Sequence, residues 1–317
     1  MALTLSCTYR LPPIPGSTLD GSVDTSVAVD AGASVSCDET QEVESPSCPP
    51  GAGHCGRVRI ALPSSPWIVG PRTAGATDPS TFATTGSRTI EVDVFEVDVD
   101  RYLRFEASGE LGTPRDVVYP DGSSRVVRAT RSEPEVGSDE PLCTARTGMG
   151  SLPINCVSWE SAMAFCAFDG GRLPTIAELE YVRRWWPTES VEAPGLDGRR
   201  FPWGDEGVAL HYPGVLPARF PQTRAPAPID PTEGPRIGCL FGIAGGVREW
   251  LGDASAELDD PCYADGHCES ASTDQRWVAT GGWLDDQTNW LESSALASRH
   301  PSEQVPNTGF RCVYDVP

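Results

Sequence analysis

The eleven cysteines of this 317-residue chain constrain its fold and its compartment more than any other sequence feature. Cytosolic proteins seldom carry so many, and the spacings do not form the paired CxxC pattern of a zinc site. We therefore interpret the cysteines mainly as disulfides that form in an oxidising, extracytoplasmic compartment. Because the count is odd, at least one cysteine must be free, bonded to another chain or modified.

The N-terminal segment, residues 1–56, has the composition of a disordered or tether-like region. From residue 8 it is rich in Ser, Gly, Asp, Pro and Val, and it shows no helical or strand periodicity. Cys48 and Cys55 lie close together in SCPPGAGHC, where Pro and Gly favour a tight loop. A local disulfide between these two cysteines is predicted.

Cys7 is a candidate site of lipid attachment. It follows Leu5 and Ser6 in a pattern that resembles the end of a bacterial lipoprotein signal, although six residues cannot hold a charged region and an apolar region. Cys7 is therefore either a lipid anchor or an unmodified residue of a surface linker. No stretch approaches about 18 uninterrupted apolar residues, so no transmembrane helix is predicted. The protein is expected to be secreted or to be a cell-envelope lipoprotein.

The charge of the chain disfavours several classes of partner and mechanism. Acidic residues number 45 against 24 basic residues, and the net charge is −21. Such a surface should repel phosphate backbones, so nucleic acid is not expected as a partner. All of the basic residues are arginines, which removes lysine Schiff bases and the lysine of a phosphate-binding loop from consideration.

Local patterns predict a strand and three short helices. Apolar residues alternate with other residues over 90–95, as in a half-buried strand. Asp100 can cap a helix that carries Tyr102, and Ser158 can cap a second helix in SWESAMAFC. Thr175 and Glu178 form a Thr-x-x-Glu capping box, so a third helix should begin at about residue 176.

From residue 201 onward the chain is dense in Gly, Pro and Trp, and regular periodicity is weak. Strand-like stretches return at residues 276–280 and 309–314. They predict a small antiparallel sheet that the C-terminus closes.

Seven motifs in a fixed order make the chain resemble the formylglycine-generating, sulfatase-modifying factor family. They are FEVDVDRYLRF, PINCVSWESAMAFC, GGRLPTIAELEYVRR, FPWGDE, LFGIAGGVREW, ATGGW and PNTGFRCV, and they span roughly four-fifths of the chain. The resemblance implies one α+β domain over residues 57–317 with a C-type-lectin-like fold, little regular secondary structure and stabilising disulfides.

The resemblance also implies a structural disulfide between Cys166 and Cys312. Two further local pairs are predicted, Cys143 with Cys156 and Cys262 with Cys268. Cys239 would then pair with Cys37 or remain free.

The catalytic branch of this family holds copper(I) with two cysteine thiolates that follow a Gly-Gly-Ser. The corresponding stretch here is GGWLDDQTNWLESS, in which the first thiolate position falls at Asp286 and the second at Leu291. No cysteine lies between Cys268 and Cys312, and carboxylate or alkyl groups do not replace soft sulfur ligands. The sequence therefore argues against copper and predicts a non-catalytic binding or scaffold module.

Family members also bind calcium in a loop before the Glu-Trp motif. By resemblance, Gly245 and Val247 would offer carbonyl oxygens here, and Glu249 would offer a carboxylate. Gly242 stands where the family usually has Asn or Asp, so one hard oxygen ligand is missing. Calcium is a candidate cofactor, and the alternative is that Glu249 accepts hydrogen bonds within the loop.

The same stretch contains the remaining candidate groove residues. Trp283 and Trp290 could form an aromatic floor for a peptide, protein or glycan ligand, or they could pack in the core. The carboxylates of Asp285 and Asp286 could bind a hard cation in a metal-dependent enzyme of different chemistry, or they could form a solvated acidic rim. Arg299 and Asn307 could contact a ligand or brace the last hairpin. The full candidate set is Trp283, Asp285, Asp286, Trp290, Arg299 and Asn307. A true formylglycine-generating oxidase is the remaining alternative.

Overall fold

In the computed structural model, each of the three α-helices among the described residues begins at a polar residue that caps its first turn. Helix α1, Val99–Ala107, is capped by Asp98 and not by Asp100 as predicted, because the Asp98 carboxylate accepts the N–H of Arg101 at 2.7 Å. Helix α2, Trp159–Phe168, has the predicted cap Ser158, whose hydroxyl accepts the N–H of Ser161 at 3.3 Å.

Helix α3, Ile176–Arg184, begins with the predicted capping box. The Glu178 N–H donates to Thr175 Oγ1 at 3.2 Å, and the Thr175 N–H donates to Glu178 Oε2 at 2.8 Å. The same Glu178 carboxylate also accepts hydrogen bonds from Arg172 and Arg88, so the cap of α3 is bonded to two other segments of the protein.

The structure describes most of the chain beyond residue 40. All of these residues fall in one unit, Gly32–Pro317. Among them, none of the helices combines the length and the apolar character needed to cross a bilayer. The described residues are 41–50, 52, 54–64, 66–71, 82–84, 88–130, 142–145, 149–184, 198–205, 236–269, 274–285 and 287–316.

Within the described ranges, short strands form two four-stranded sheets and three hairpin-like pairs. The strands are β1 (Gln41–Glu42), β2 (Gly56–Ala61), β3 (Trp67–Val69), β4 (Phe82–Thr84), β5 (Thr89–Asp93), β6 (Arg115–Val118), β7 (Ser124–Val127), β8 (Arg236–Ile237), β9 (Leu240–Phe241), β10 (Arg248–Ala254), β11 (Arg276–Ala279), β12 (Leu296–Arg299), β13 (Thr308–Gly309) and β14 (Val313–Asp315). In the later loops that the structure describes, 3-10 helices lie at Pro261–Asp265 and Thr288–Leu291.

The two larger sheets have the orders β1-β2-β5-β14 and β12-β11-β10-β13, and β3-β4, β6-β7 and β8-β9 pair separately. The predicted strand at residues 90–95 is β5, which pairs antiparallel with both β2 and β14. In the second sheet β10, β11 and β12 are antiparallel, whereas β13 runs parallel to β10.

The C-terminal stretch differs from the single strand predicted over residues 309–314. It forms two short strands in different sheets, β13 beside β10 and β14 beside β5. Between them the side chain of Arg311 enters the core, where it donates to the carbonyl oxygens of Asp93 at 3.1 Å and Phe241 at 2.8 Å. The C-terminus therefore links the two sheets, because its last residues contribute a strand to each.

Aromatic side chains fill much of the core between the helices and the second sheet. Trp159 and Trp250 are fully buried, and each indole N–H is satisfied, by the carbonyl of Leu251 at 2.7 Å and that of Val157 at 2.9 Å. The Trp159 indole of α2 donates to a residue of β10, and the Trp250 indole of β10 donates to a residue just before α2. Polar as well as apolar contacts therefore hold α2 and β10 together.

Each predicted disulfide within the described residues is present in the structure. Cys166 on α2 is bonded to Cys312 just before β14, across 146 residues of sequence. Cys239 is also disulfide-bonded, and its partner lies outside the described residues. The other disulfides join cysteines close together in the sequence. The local pairs are Cys48–Cys55, Cys143–Cys156 and Cys262–Cys268.

The end of the predicted tether packs on the domain. The Ser47 N–H donates to Asp169 Oδ1 at 2.9 Å, and its hydroxyl also bonds to the Asp169 carboxylate. Arg101, itself buried, donates to Asp169 at 3.1 Å and to Ser47 Oγ at 3.2 Å. Regular structure therefore reaches back to Gln41, before the predicted domain start at residue 57, because buried polar residues far along the chain bind this segment. Residues 1–40, including Cys7, lie outside the described residues.

Candidate functional site

Two glycine-containing loops build the candidate groove. The first, residues 243–247, leads into β10, and the second, residues 281–285, follows β11; we call them the IAGGV loop and the GGWLD loop. The Gly245 N–H donates to the Gly281 carbonyl, and the Trp283 N–H donates to the Gly246 carbonyl, both at 2.6 Å. The two loops are thus held together along their backbones.

Asp285 is a buried structural residue and not part of a solvated rim. Its carboxylate accepts the N–H groups of Gly281 at 2.9 Å and Gly282 at 2.8 Å, and it forms an ion pair with Arg248, whose Nε lies 3.0 Å away. The Arg248 guanidinium also lies over the Trp290 ring, 5.0 Å from its centroid. Asp285 therefore shapes the GGWLD loop, and Asp286 lies outside the described residues.

The residues at the positions of the family's serine in Gly-Gly-Ser and of its second thiolate are buried. Trp283 is 2% exposed and donates its indole N–H to the Pro306 carbonyl at 3.2 Å, so it packs in the core. Leu291 is 0% exposed. Trp290 is only partly buried, and Leu284 is 42% exposed. Of the two predicted floor tryptophans, the structure leaves only Trp290 accessible.

Arg299 and Asn307 contribute to bracing. The Arg299 guanidinium, at the end of β12, pairs with Glu303 of the following loop at 2.8 Å. The Asn307 carbonyl accepts the N–H of Arg248 at 2.6 Å, which anchors the start of β10. Asn307 keeps a partly exposed side chain beside Arg248, whereas Arg299 is engaged through its ion pair.

The predicted calcium ligands lie together in the IAGGV loop and at the start of β10. Glu249 is 4% exposed, and its Oε1 accepts from Arg311 Nε at 2.7 Å. The carbonyl oxygens of Gly245 and Val247 accept no backbone hydrogen bond from the described residues. Carbonyl and carboxylate oxygens are the ligands that a hard cation prefers, so calcium at this loop stays a prediction.

Glu96 completes this oxygen-rich environment, and sequence reasoning did not single it out. It is 3% exposed, and its Oε1 accepts the Val247 N–H at 2.7 Å. Burial and, to a smaller extent, the nearby Glu249 carboxylate raise its pKa to about 8, although Arg311 and the Val247 hydrogen bond lower it. The available signal was an acidic residue between the apolar residues Phe95 and Val97, just after β5.

No three His, Cys, Asp or Glu side chains converge as a metal-binding group in the described parts of the chain. The IAGGV loop differs from such a group because two of its candidate ligands are backbone carbonyls. Its fit to calcium therefore depends on backbone geometry, which side-chain motifs do not display.

A second buried polar cluster lies beside the β6–β7 hairpin. His267 Nδ1 lies 3.0 Å from Asp253 Oδ1, and the imidazole stacks on Tyr119 with ring centroids 3.8 Å apart. Burial lowers the His267 pKa, but Asp253 and Glu269 outweigh burial and raise it to about 9. The imidazole is thus held as a cation between carboxylates, a structural role that the four scattered histidines of the sequence did not indicate.

Comparisons with known proteins agree with the motif series. Residues 87–316 match the sulfatase-modifying factor enzyme 1-like domain. A formylglycine-generating enzyme from Streptomyces coelicolor is 32% identical over 192 residues, which are 53% of this chain and 54% of that protein. The enzyme of the same name from Thermomonospora curvata is 30% identical over 254 residues, 71% of this chain and 77% of that protein.

The relatives also include a protein named inactive C-alpha-formylglycine-generating enzyme 2, from Bos taurus. It is 25% identical over 172 residues, 51% of this chain and 50% of that protein. This chain therefore spans about half the length of the Streptomyces and bovine relatives.

Solved structures share the fold at low sequence identity. PvdO from Pseudomonas aeruginosa has a TM-score of 0.51 at 15% identity and covers 84% of this chain and 96% of its own. Treponema denticola variable protein 1 has a TM-score of 0.55 at 16% identity and covers 82% and 95%. The fold is α+β and C-type-lectin-like, as the motifs implied. Because the family match covers residues 87–316, well over half of the chain, the protein belongs to the sulfatase-modifying factor enzyme 1-like family.

Proposed function

We propose that this protein is an extracytoplasmic binding or scaffold module of its family and does not generate formylglycine. The observation that carries the proposal is the environment of Leu291 at the second thiolate position. Its side chain is fully buried, so even a sulfur atom placed there would face the core and not a ligand in the groove.

The state of the cysteines supports the same proposal. Every cysteine in the described ranges is disulfide-bonded, nine in all. A disulfide sulfur is not a thiolate and does not serve as the soft anionic ligand that copper(I) prefers. The family's copper chemistry would therefore need thiols that these segments do not offer.

The accessible groove surface suits a peptide or glycan ligand. Trp290 presents a partly exposed ring whose position is set by Arg248, and Leu284 adds an exposed apolar side chain. The partly exposed Asn307 lies just before β13, the strand that pairs with β10, and its backbone carbonyl accepts the Arg248 N–H. An aromatic ring beside amide groups can stack on a ligand and hydrogen-bond to it at the same time.

The disulfides also support an extracytoplasmic location, since such bonds persist mainly in oxidising compartments. We include attachment to a cell envelope through lipid at Cys7 as part of the proposal. Mass spectrometry of protein extracted from its native membrane fraction tests it, because a diacylglyceryl group on Cys7 adds a large apolar mass.

A copper and turnover experiment tests the central claim. The purified chain and the Thermomonospora curvata enzyme are each incubated with copper(I), oxygen and a cysteine-containing sulfatase peptide, and the peptide mass is followed. We expect the mass shift from cysteine to formylglycine only with the Thermomonospora enzyme. Conversion by this chain above the copper-free background would overturn the proposal.

Two further measurements separate binding from a different enzyme chemistry. Peptide and glycan arrays should give ligands whose binding is lost in Trp290→Ala and kept in Trp203→Ala, which changes a partly buried tryptophan stacked on Phe201. Stoichiometric iron or manganese that disappears in Asp286→Ala would instead favour a metal-dependent enzyme and contradict the binding-module assignment.

A further inference from the structure

Trp290 has an accessible indole whose position is fixed by its neighbours. The Arg248 guanidinium lies over one face of the ring, 5.0 Å from its centroid, and the Trp290 carbonyl accepts the Thr280 hydroxyl at 2.7 Å. The indole N–H has no acceptor among the described residues, and solvent reaches it. A ligand that packs on this ring would therefore cost little side-chain freedom and would find an unused donor at its edge.

The described residues just before Trp290 carry uncharged hydrogen-bonding groups. Gln287, Thr288 and Asn289 are exposed, and their side chains form no hydrogen bond with the described parts of the protein. The Trp290 N–H donates to the Gln287 carbonyl at 3.1 Å, so these two residues are the ends of one turn, whose Cα atoms lie within about 7 Å of each other. The amide of Gln287 is thus available to a ligand that contacts the ring.

The charged residues that flank this turn in the described sequence are ion-paired. Asp285 pairs with Arg248, and Glu292 accepts Arg200 Nη2 at 2.8 Å. The described part of this segment therefore presents no unpaired charge, although the chain carries a net charge of −21. Specific recognition of a charged ligand needs an opposite charge that is not already neutralised within the protein. An uncharged polyol needs only hydrogen bonds and an apolar contact surface.

Arg248 contributes a second unused donor beside the ring. Its Nε and Nη2 donate to the Asp285 carboxylate, which fixes the guanidinium in place. Nη1 has no acceptor within the described segments and is not buried. The guanidinium is neutralised by its ion pair, so this N–H serves as a hydrogen-bond donor and not as a free charge.

We propose that this surface binds a neutral oligosaccharide, in which a sugar ring packs on Trp290 and hydroxyl groups bond to the Gln287 amide and to Arg248 Nη1. A pyranose ring presents C–H groups on one face, which pack on an aromatic ring, and hydroxyl groups around its edge. An amide both donates and accepts, so Gln287 satisfies a hydroxyl group in either role. This inference rests on the proposed binding function and narrows its ligand to an uncharged sugar.

The test compares neutral and charged sugars on the full chain by isothermal titration and tryptophan fluorescence. The neutral probes are oligosaccharides of glucose, galactose, mannose and N-acetylglucosamine, and the charged probes are oligogalacturonate and a sulfated galactan oligosaccharide. We expect binding of a neutral probe and none of the charged ones. Trp290→Ala should weaken this binding more than about tenfold, and Trp290→Phe, which keeps an aromatic face, should retain part of it.

A pair of glutamine variants supplies the matched control. Gln287→Ala removes an amide next to the ring and should weaken sugar binding about tenfold. Gln275→Ala makes the same chemical change just before β11, at the end of that strand opposite the GGWLD loop, and should leave sugar binding unchanged. The melting temperature of each variant checks that it folds as the wild type does.

Three results would overturn the sugar assignment. They are the absence of binding to every neutral probe, binding of the charged probes as tight as that of the neutral ones, and sugar binding that survives both Trp290→Ala and Gln287→Ala. A peptide that binds through Trp290 while no sugar does would likewise reject the sugar and leave the binding-module function intact. Conversion of the sulfatase peptide in the copper experiment would instead reject the proposed function, so the two failures are distinguishable.

Discussion

The Cys166–Cys312 disulfide should contribute far more to stability than a local disulfide of the same protein. It closes a stretch of 146 residues, and the chain-entropy relation then gives about 5 kcal/mol at 25 °C. The Cys262–Cys268 disulfide closes only 6 residues, for which the same relation gives about 2 kcal/mol. The two bonds therefore provide an internal comparison in which loop length is the main difference.

The perturbation is the replacement of both cysteines of one pair by alanine, in two separate double variants. Urea unfolding followed by tryptophan fluorescence gives the free energy of unfolding, and thiol titration checks that the other disulfides remain formed. We expect Cys166→Ala/Cys312→Ala to lose about 3 kcal/mol more than Cys262→Ala/Cys268→Ala. Because domains are stable by only about 5–15 kcal/mol, the first variant should be close to unfolding at 37 °C. Equal losses in the two variants would refute the argument from loop length.

Three further predictions concern side chains whose partners the structure identifies. His267 has a pKa of about 9 in the folded protein and about 6.5 in the unfolded chain. Its contribution to the free energy of unfolding is therefore complete below pH 6.5 and is lost as the pH rises through 9. Urea titrations across that window should show a loss on the order of 3 kcal/mol that His267→Gln removes, and an unchanged pH profile in the variant would contradict the role of Asp253. Arg248→Met leaves Asp285 buried without its ion-pair partner and should cost about 3–5 kcal/mol in the same assay, whereas Arg59→Met, at a largely exposed pair, should cost less than about 1 kcal/mol. Ser158→Ala removes the cap of α2 and should cost about 1 kcal/mol, and Ser158→Asp should restore it; a neutral alanine variant would show that packing alone sets the start of the helix.

Elements with local signals were predictable from the sequence. The caps Ser158 and Thr175 lie within a few residues of the N–H groups that they satisfy, and the structure has both helices where these caps require them. The error at α1 has the same local origin, since Asp98 and Asp100 are both competent caps two residues apart. Only the geometry of the first turn selects Asp98.

Features that depend on distant partners were not predictable. The sequence presents Asp285 as one of several acidic residues, and its burial depends on Arg248, which lies 37 residues earlier. The packing of Ser47 on the domain likewise depends on Asp169, at a separation of 122 residues. Without the fold, a polar residue of this kind cannot be assigned to the core or to the surface.

The sequence alone determined the family, the fold class and the absence of a cysteine pair in the region of the thiolates, because these follow from which residues are present and in what order. The tertiary structure decided which polar side chains act together. Glu96 meets the Val247 N–H across 151 residues, and its charge state follows from burial and from Glu249, which no local pattern encodes. Electrostatic interactions depend on distance and on exclusion of water, and both of these quantities exist only once the chain is folded.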